Sequence, residues 1–557
     1  MGDVPSRWRG LCMQGPGFKK NSCNKKIIGV RYYGDQPGSV VPNASLARVA
    51  LSTGSPRDDV GYGTHCASTA AGAIVEGADY YGLAQGAAKG GAPAARVASY
   101  KVCTEDENGC LGSALLKAID DTVSDGVDVI SISIGKTTTD TTPDVLSDPV
   151  ALGAFHAHQS GVLVVCSAGN DGPDPSTIVN SAPWILTVAA STIDRSFHSS
   201  VVLGNGKVFK GVAINFSKQS RSGERYPLVF GAQAATRRTP ASEASNCYPG
   251  SLRKCKVSGK ILVCVRTDSM ITRRIMKLVA EDSGARGLVL IDDKAMEAPI
   301  DTGSFPFSQV GSYAGTQILR NPTAVILPTK DVKLFKPAPV VVSFSARGPA
   351  ALTESILKPD LMAPGVSILA AMPPMNIDGE KQRWTAGGEQ QWRGGAGEII
   401  PLHVLSPGLV FDTTTRDYLH FLCYQGYKDM VIRKVSGDAQ FTFPRGAPSP
   451  DLIAKSVNYP SISVPRLAAG KRFAVSRTAT TTNVGRSNAT YTVAVDAPPG
   501  LLVKVSPKPL LFLRRWATAA YEVSFTQAGA RKGYAYGAVA WSDGVHSVRT
   551  PFAVNVV

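Results

Sequence analysis

VLVVCSAGNDGP, residues 162–173, runs from an unbroken apolar stretch straight into a glycine-rich turn. Val162–Cys166 reads as a strand buried on both faces, and Ser167-Ala168-Gly169-Asn170 as the turn that ends it. VDVISISI at 127–134 has the same character, and so has Arg96–Val102. Between these two, Gly112–Ser124 carries helical spacing. Apolar strands separated by helices imply an α/β domain with a parallel sheet, since parallel neighbours need a crossover connection.

Further along, the style changes twice. Residues 226–330 hold KILVCV at 260–265, a helical stretch near 274–283 and GLVLID at 287–292, a small α/β unit of its own. Residues 331–450 return to the first style. From Asn458 onward, alternating β-branched stretches such as FAVSRTAT and YTVAVDA, with a Pro-Pro-Gly turn, read as an all-β sandwich. The expected division is therefore 1–225, 226–330, 331–450 and 451–557.

Composition narrows the function. Hydrophobic residues are 43% and charged residues 18% of the 557, which is enough apolar surface for packed cores. The formal charge of +16 is spread along the chain and clusters no further than doublets such as Arg237-Arg238 and Arg514-Arg515. A nucleic-acid partner needs a concentrated basic face, so none is expected. No run of about 18 apolar residues occurs, so no membrane span is expected. The opening residues contain no apolar core of a signal peptide. They match the pattern M-G-x-x-x-S of myristoylation, but sequence of mid-domain character follows. The ten cysteines include no Cys-x-x-Cys pair, so no structural zinc is expected, and no cofactor motif is present. His156 and His158 are two apart on a helical stretch and face different directions, which speaks against a metal pair. Glycosylation sequons begin at Asn43, Asn215 and Asn488.

Two stretches carry candidate chemistry. Gly61-Tyr62-Gly63-Thr64-His65 opens a small-residue helix, CASTAAG, that can pack closely against other backbone. An imidazole there is a natural general base near neutral pH, or simply a histidine at a helix start. Asn170 ends a strand in a Gly-Asn turn, where its amide can donate to an oxyanion or merely close the turn.

The order GTHxASTAAG, VISxSIG, VVCSAGNDGP, SFSxRGP and LKPDxMAPG resembles the plant-type subtilisin-like serine protease family, the subtilases. So do LSPGLVFDTTTRDYL at 405–419, NYPSISV at 458–464 and the terminal WSDGVHSVRTPFAVNVV. The resemblance implies a subtilisin-like α/β domain, an inserted protease-associated domain at 226–330 and a C-terminal fibronectin-III-like sandwich. It implies peptide-bond hydrolysis in the extracellular space, with His65 as general base and Asn170 as oxyanion donor. Ser133-Ile134-Gly135 and Ser167-Ala168-Gly169 would line the cleft and pair with an extended polypeptide. It also implies disulfides Cys12–Cys23 and Cys247–Cys264, with Cys103–Cys110 as a further pair.

Two family segments are not found. The Asp-Thr/Ser-Gly segment of the acid would precede GDVPSRWRG, and Asp3, Asp35, Asp58 and Asp59 do not fit it. The nucleophile segment Gly-Thr-Ser should follow LKPDLMAPGVSILAA, yet no serine occurs between Ser367 and Ser406. The chain is thus expected to be an impaired protease or, alternatively, a non-catalytic protein that binds peptides. Loss of a buried helix and a central strand at about 25 cal/mol per Å² far exceeds the 5–15 kcal/mol net stability of a domain. Residues 1–225 and 341–450 are therefore expected to fold poorly alone, and the other two units better.

Overall fold

The computed structural model describes residues 1–33, 54–103, 109–135, 144–217, 224–268, 270–350, 352–373, 397–443, 449–468 and 470–557. Its first layer is a parallel sheet of four strands in the order Leu361–Pro364, Ile185–Ser191, Leu163–Ser167, Val129–Ile132. Helices α1 (Tyr62–Ala71), α2 (Gly112–Asp125) and α3 (Pro149–Gln159) belong to this region. The start of α3 is fixed locally: Asp148 accepts from the Val150 N–H at 3.0 Å, and proline takes the first position, where no N–H is needed. Phe155, Val164, Trp184, Ile185, Phe421 and Leu422 form the core of the layer.

A second parallel pair, Ile27–Tyr32 with Val97–Lys101, stands apart. Val97–Lys101 leads through α2 to Val129–Ile132, yet the two strands lie in different sheets. The pair is tethered to α2 by polar contacts. Arg31 forks onto Asp125 at 2.8 and 2.6 Å, Tyr100 donates to Asp125 at 2.7 Å, and Tyr33 donates to Asp121 at 2.8 Å. The parallel layer is therefore split, and Val129, on the edge of the larger part, is 54% exposed.

The inserted α/β unit is continuous by contrast. Seven strands run in the order Val208–Phe209, Val201–Leu203, Thr323–Ile326, Tyr226–Phe230, Ile261–Val265, Gly287–Ile291, Phe307–Val310. This corrects the boundary at 226. Val201–Leu203 pairs antiparallel with Thr323–Ile326, so the sheet recruits chain from ahead of the change in sequence style. Asn215 needs correction as a glycosylation site. It is fully buried, and its amide donates to Ser199 Oγ at 2.7 Å and to the carbonyls of Phe307 and Leu327 at 3.0 and 3.3 Å, which leaves no room for a glycan. Asn488 is exposed, and Asn43 lies outside the described residues.

The C-terminal unit packs two sheets face to face. One holds Leu409–Phe411, Arg472–Asn483, Thr518–Gln527 and Leu501–Ser506; the other holds Ile462–Leu467, Ser547–Val556, Gly533–Ser542, Ala489–Asp496 and Leu510–Phe512. Tyr491, Phe525, Trp541 and Phe552 fill the space between them. Leu409–Phe411 joins from ahead of residue 451 by pairing with Leu409 opposite Asn483. Lys358 and Asp360 tie the parallel layer to Tyr459, in the chain that leads into the sandwich. The fully buried Lys358 ammonium donates to the Ile185 carbonyl at 2.5 Å and to Asp360 at 2.7 Å, and Asp360 also accepts from the Thr187 N–H and the Tyr459 hydroxyl. Cysteines 12 and 23, 103 and 110, and 247 and 264 are bonded in pairs.

Candidate active site

α1 positions His65. The helix starts at Gly61, whose φ of +94° suits a residue without a Cβ. Asp58 caps it, accepting from the N–H groups of Val60, Gly61 and Thr64 and from the Thr64 hydroxyl, the last two at 2.7 Å. Burial works against the Asp58 charge, but these donors outweigh it and hold the pKa below 3.8. Asp58 is thus a helix cap. Asp59 pairs with Lys101 and Asp3 with Lys25, while Asp35 lies outside the described residues.

The helix is seated on the end of the Val129–Ile132 strand. Tyr62 Oη donates to the Ser133 carbonyl at 3.2 Å, and the Cys66 thiol reaches Ser133 Oγ at 3.7 Å. Ser133-Ile134-Gly135 and Ser167-Ala168-Gly169 lie at the C-terminal ends of neighbouring parallel strands. That is where open parallel sheets place their ligands.

The side chain that clamps these two segments together is one the motifs do not reveal. Asn180 donates to the Ile134 carbonyl and to the Ser167 carbonyl, each at 2.9 Å. It is buried, with φ of +54°. Next to it, Val179 closes on both glycines: a Cβ on Gly135 would lie 2.6 Å from Val179 Cγ2, and one on Gly169 2.9 Å away. The only sequence hint is an asparagine in a Ser/Pro-rich loop, a common turn residue. Asn170 is exposed beyond Gly169.

His65 is half-buried. Burial lowers its pKa, and a hydrogen bond to the Ile368 backbone pulls the other way. Among the described residues no carboxylate or hydroxyl is hydrogen-bonded to the ring. The segment after Leu361–Pro364 lies along α1 instead. The Ala371 N–H donates to Ser68 Oγ at 3.0 Å, and Met372 covers Gly61. His156 and His158 do not converge: the former contacts the Val435 carbonyl at 3.0 Å, and the latter packs edge-on against Tyr418.

The model of the subtilase family matches residues 48–394, and that of a fibronectin type-III domain matches 456–554. The chain belongs to the subtilase family. This subtilase is 39% identical over 622 residues to the CO(2)-response secreted protease of Arabidopsis thaliana, a match spanning 100% of the chain and 78% of that protein. It is 36% identical over 635 residues to the subtilisin-like protease SBT5.1 of the same plant, again spanning 100% and 78%. A chain of a serine protease family has polypeptides as its natural ligands. No helix among the described residues of this subtilase is long and apolar enough to cross a membrane. Among the described residues no cluster of three or more His, Cys, Asp and Glu could hold a metal ion.

Proposed function

We propose that this subtilase is an extracellular protein that holds extended peptides in the cleft beside His65 without hydrolysing them there. The observation that carries the reading is the absence of any serine between Ser367 and Ser406, where the family's Gly-Thr-Ser segment is expected. The segment that follows Leu361–Pro364 supports it, since it lies along α1, where the Ala371 N–H donates to Ser68 Oγ at 3.0 Å. A general base with no hydroxyl to deprotonate does no covalent chemistry. Loss of the serine from a subtilisin costs on the order of 10⁶ in kcat. Oxyanion donation from Asn170 and substrate binding would leave a residual ~10³–10⁴ over water.

Holding a peptide does not require the nucleophile hydroxyl. Ser133-Ile134-Gly135 and Ser167-Ala168-Gly169 would line the peptide site, and Asn180, which occupies the Ile134 and Ser167 carbonyls, holds their spacing. The inserted seven-stranded unit is read as the protease-associated domain. Three disulfides and the relative described as secreted favour the extracellular space, and Asn488 is the exposed sequon for a glycan.

The test uses the full chain with an internally quenched peptide library and, in parallel, with fluorescently labelled extended peptides. Saturable binding without cleavage above a heat-denatured control is expected. Cleavage that His65→Ala abolishes, or no binding to any peptide of the set, would overturn the reading.

A further inference from the structure

Among the described residues the cleft histidine has no hydroxyl on its ring, but a second histidine has one. Ser406 Oγ lies 3.1 Å from His546 Nε2, and His546 Nδ1 lies 2.9 Å from Asp543 Oδ2. The order is that of an acyl-transfer relay: hydroxyl, imidazole, carboxylate, with a different ring nitrogen on each side. They come from two distant places in the chain. Ser406 precedes the Leu409–Phe411 strand, and the other two sit in the hairpin between Gly533–Ser542 and Ser547–Val556.

The support is built in. Asp543 Oδ1 accepts from the backbone N–H groups of Val545 and His546 at 3.0 and 2.6 Å, leaving Oδ2 for the ring. Burial disfavours its charge, yet the His546 backbone and ring and the Val545 N–H bring its pKa down to about 2. The ring is held from below by glycine: a Cβ on Gly408 would lie 2.7 Å from His546 Cβ. The Gly408 carbonyl is fixed in turn by the N–H groups of Val484 and Gly485 at 2.9 and 3.2 Å. The side chains of His546 and Asp543 are only 10% and 9% exposed, whereas Ser406 faces solvent. Leu402 and Leu405, 89% and 94% exposed, precede Ser406 in the chain and leave apolar side chains uncovered in that segment.

The geometry points to a second serine site, in which Ser406 acts as nucleophile, His546 as base and Asp543 as its orienting carboxylate, taking small activated esters with apolar acyl groups. The Ser406 proton passes to His546 Nε2 as Oγ bonds to the ester carbonyl carbon. The C–O bond to the leaving group breaks, and the alcohol departs with that proton. Water then cleaves the acyl-serine, releasing the acid. Amides are outside its range. Residue 407 is proline, so the N–H that follows the nucleophile in many acyl-transfer sites is missing, and only good leaving groups can be expelled.

A fluorophosphonate probe on the full chain, with the labelled residue located by mass spectrometry, tests this. Labelling at Ser406 is expected, together with a burst of p-nitrophenol from p-nitrophenyl acetate. Ser406→Ala, at an exposed position that does not threaten the fold, should remove both. His546→Gln should slow labelling by about 10²–10⁴-fold, the usual yield of a positioned general base. No label on Ser406, or a burst that survives Ser406→Ala, sinks the site. So does Ser406 labelling unchanged by His546→Gln in a chain whose unfolding temperature is preserved. Because the label is assigned to a residue, this result is independent of any cleavage at His65.

Discussion

The parallel layer and the C-terminal sandwich treat their edges and their histidines in opposite ways. In the layer, consecutive strands Val97–Lys101 and Val129–Ile132 fall into separate sheets, and among the described residues the motif histidine has neither a hydroxyl nor a carboxylate hydrogen-bonded to its ring. In the sandwich, both sheets cover a shared core, and a histidine outside any family signature for catalysis has a hydroxyl on one nitrogen and a carboxylate on the other. A motif therefore marks where a group stands in the chain. Whether it has anything to act with depends on chain brought in from elsewhere.

The sharpest way to break this comparison is to put the same charge into both regions. Val539 in the sandwich core is fully buried, and Val129 on the layer's edge is 54% exposed. Val539→Lys buries an unpaired ammonium and is expected to cost more than about 5 kcal/mol, unfolding the sandwich. Val129→Lys is expected to stay within about 0.5 kcal/mol, as for an ordinary surface change. Urea denaturation followed by limited proteolysis checks both. Equal effects would mean that the edge of the layer is covered and the split is not real. The same digestion on the unmodified chain tests the expectation that the layer is the weaker part, which would show as early cuts there and a resistant sandwich fragment.

Much of the layer was legible because its signals are local. The apolar runs at 127–134 and 162–166 fall on Val129–Ile132 and Leu163–Ser167, and the helical spacing of 112–124 falls on α2. What escaped was non-local. Val201–Leu203 looks like part of the first domain until Thr323–Ile326 pairs with it. Asn215 carries a surface sequon, but its burial is decided by Ser199, Phe307 and Leu327. Ser406 and His546 are 140 residues apart, so no spacing rule joins them. Asn180 escaped for a different reason: an asparagine in a turn is common, and only its two acceptors distinguish it.

Asn180 gives the next test, of intermediate size, and it concerns the cleft. Asn180→Ala removes two donors and leaves the Ile134 and Ser167 carbonyls without them. A cost of about 1–3 kcal/mol is expected from buried polar groups left unpaired. Peptide affinity should fall with it, because the two segments lose their fixed separation. Titration of labelled peptides against the variant reads this directly. Unchanged affinity would show that Val179, packed on Gly135 and Gly169, sets the spacing alone.

The smallest effect sharpens the description of the His65 helix itself. Asp58 caps α1 through three N–H groups and one hydroxyl, and Asp58→Ala should cost about 0.5–2 kcal/mol. The pH dependence separates the cap's charge from its shape. The folded pKa lies below the ordinary 3.8, so the unfolded chain takes up the proton first as pH falls. The charge-dependent part of the stabilisation is therefore fully present above the unfolded value and is lost as pH drops through the folded one. Urea midpoints of the unmodified chain and Asp58→Ala should stay a constant distance apart at neutral pH and converge in acid. Asp58→Asn keeps an acceptor oxygen but no charge, so its gap to Asp58→Ala should be smaller and should not close with acid. If the gap between the unmodified chain and Asp58→Ala is flat down through the acid range, the carboxylate is not ionised at the cap, and the ordering of α1 that sets His65 rests on Gly61 and Thr64 instead.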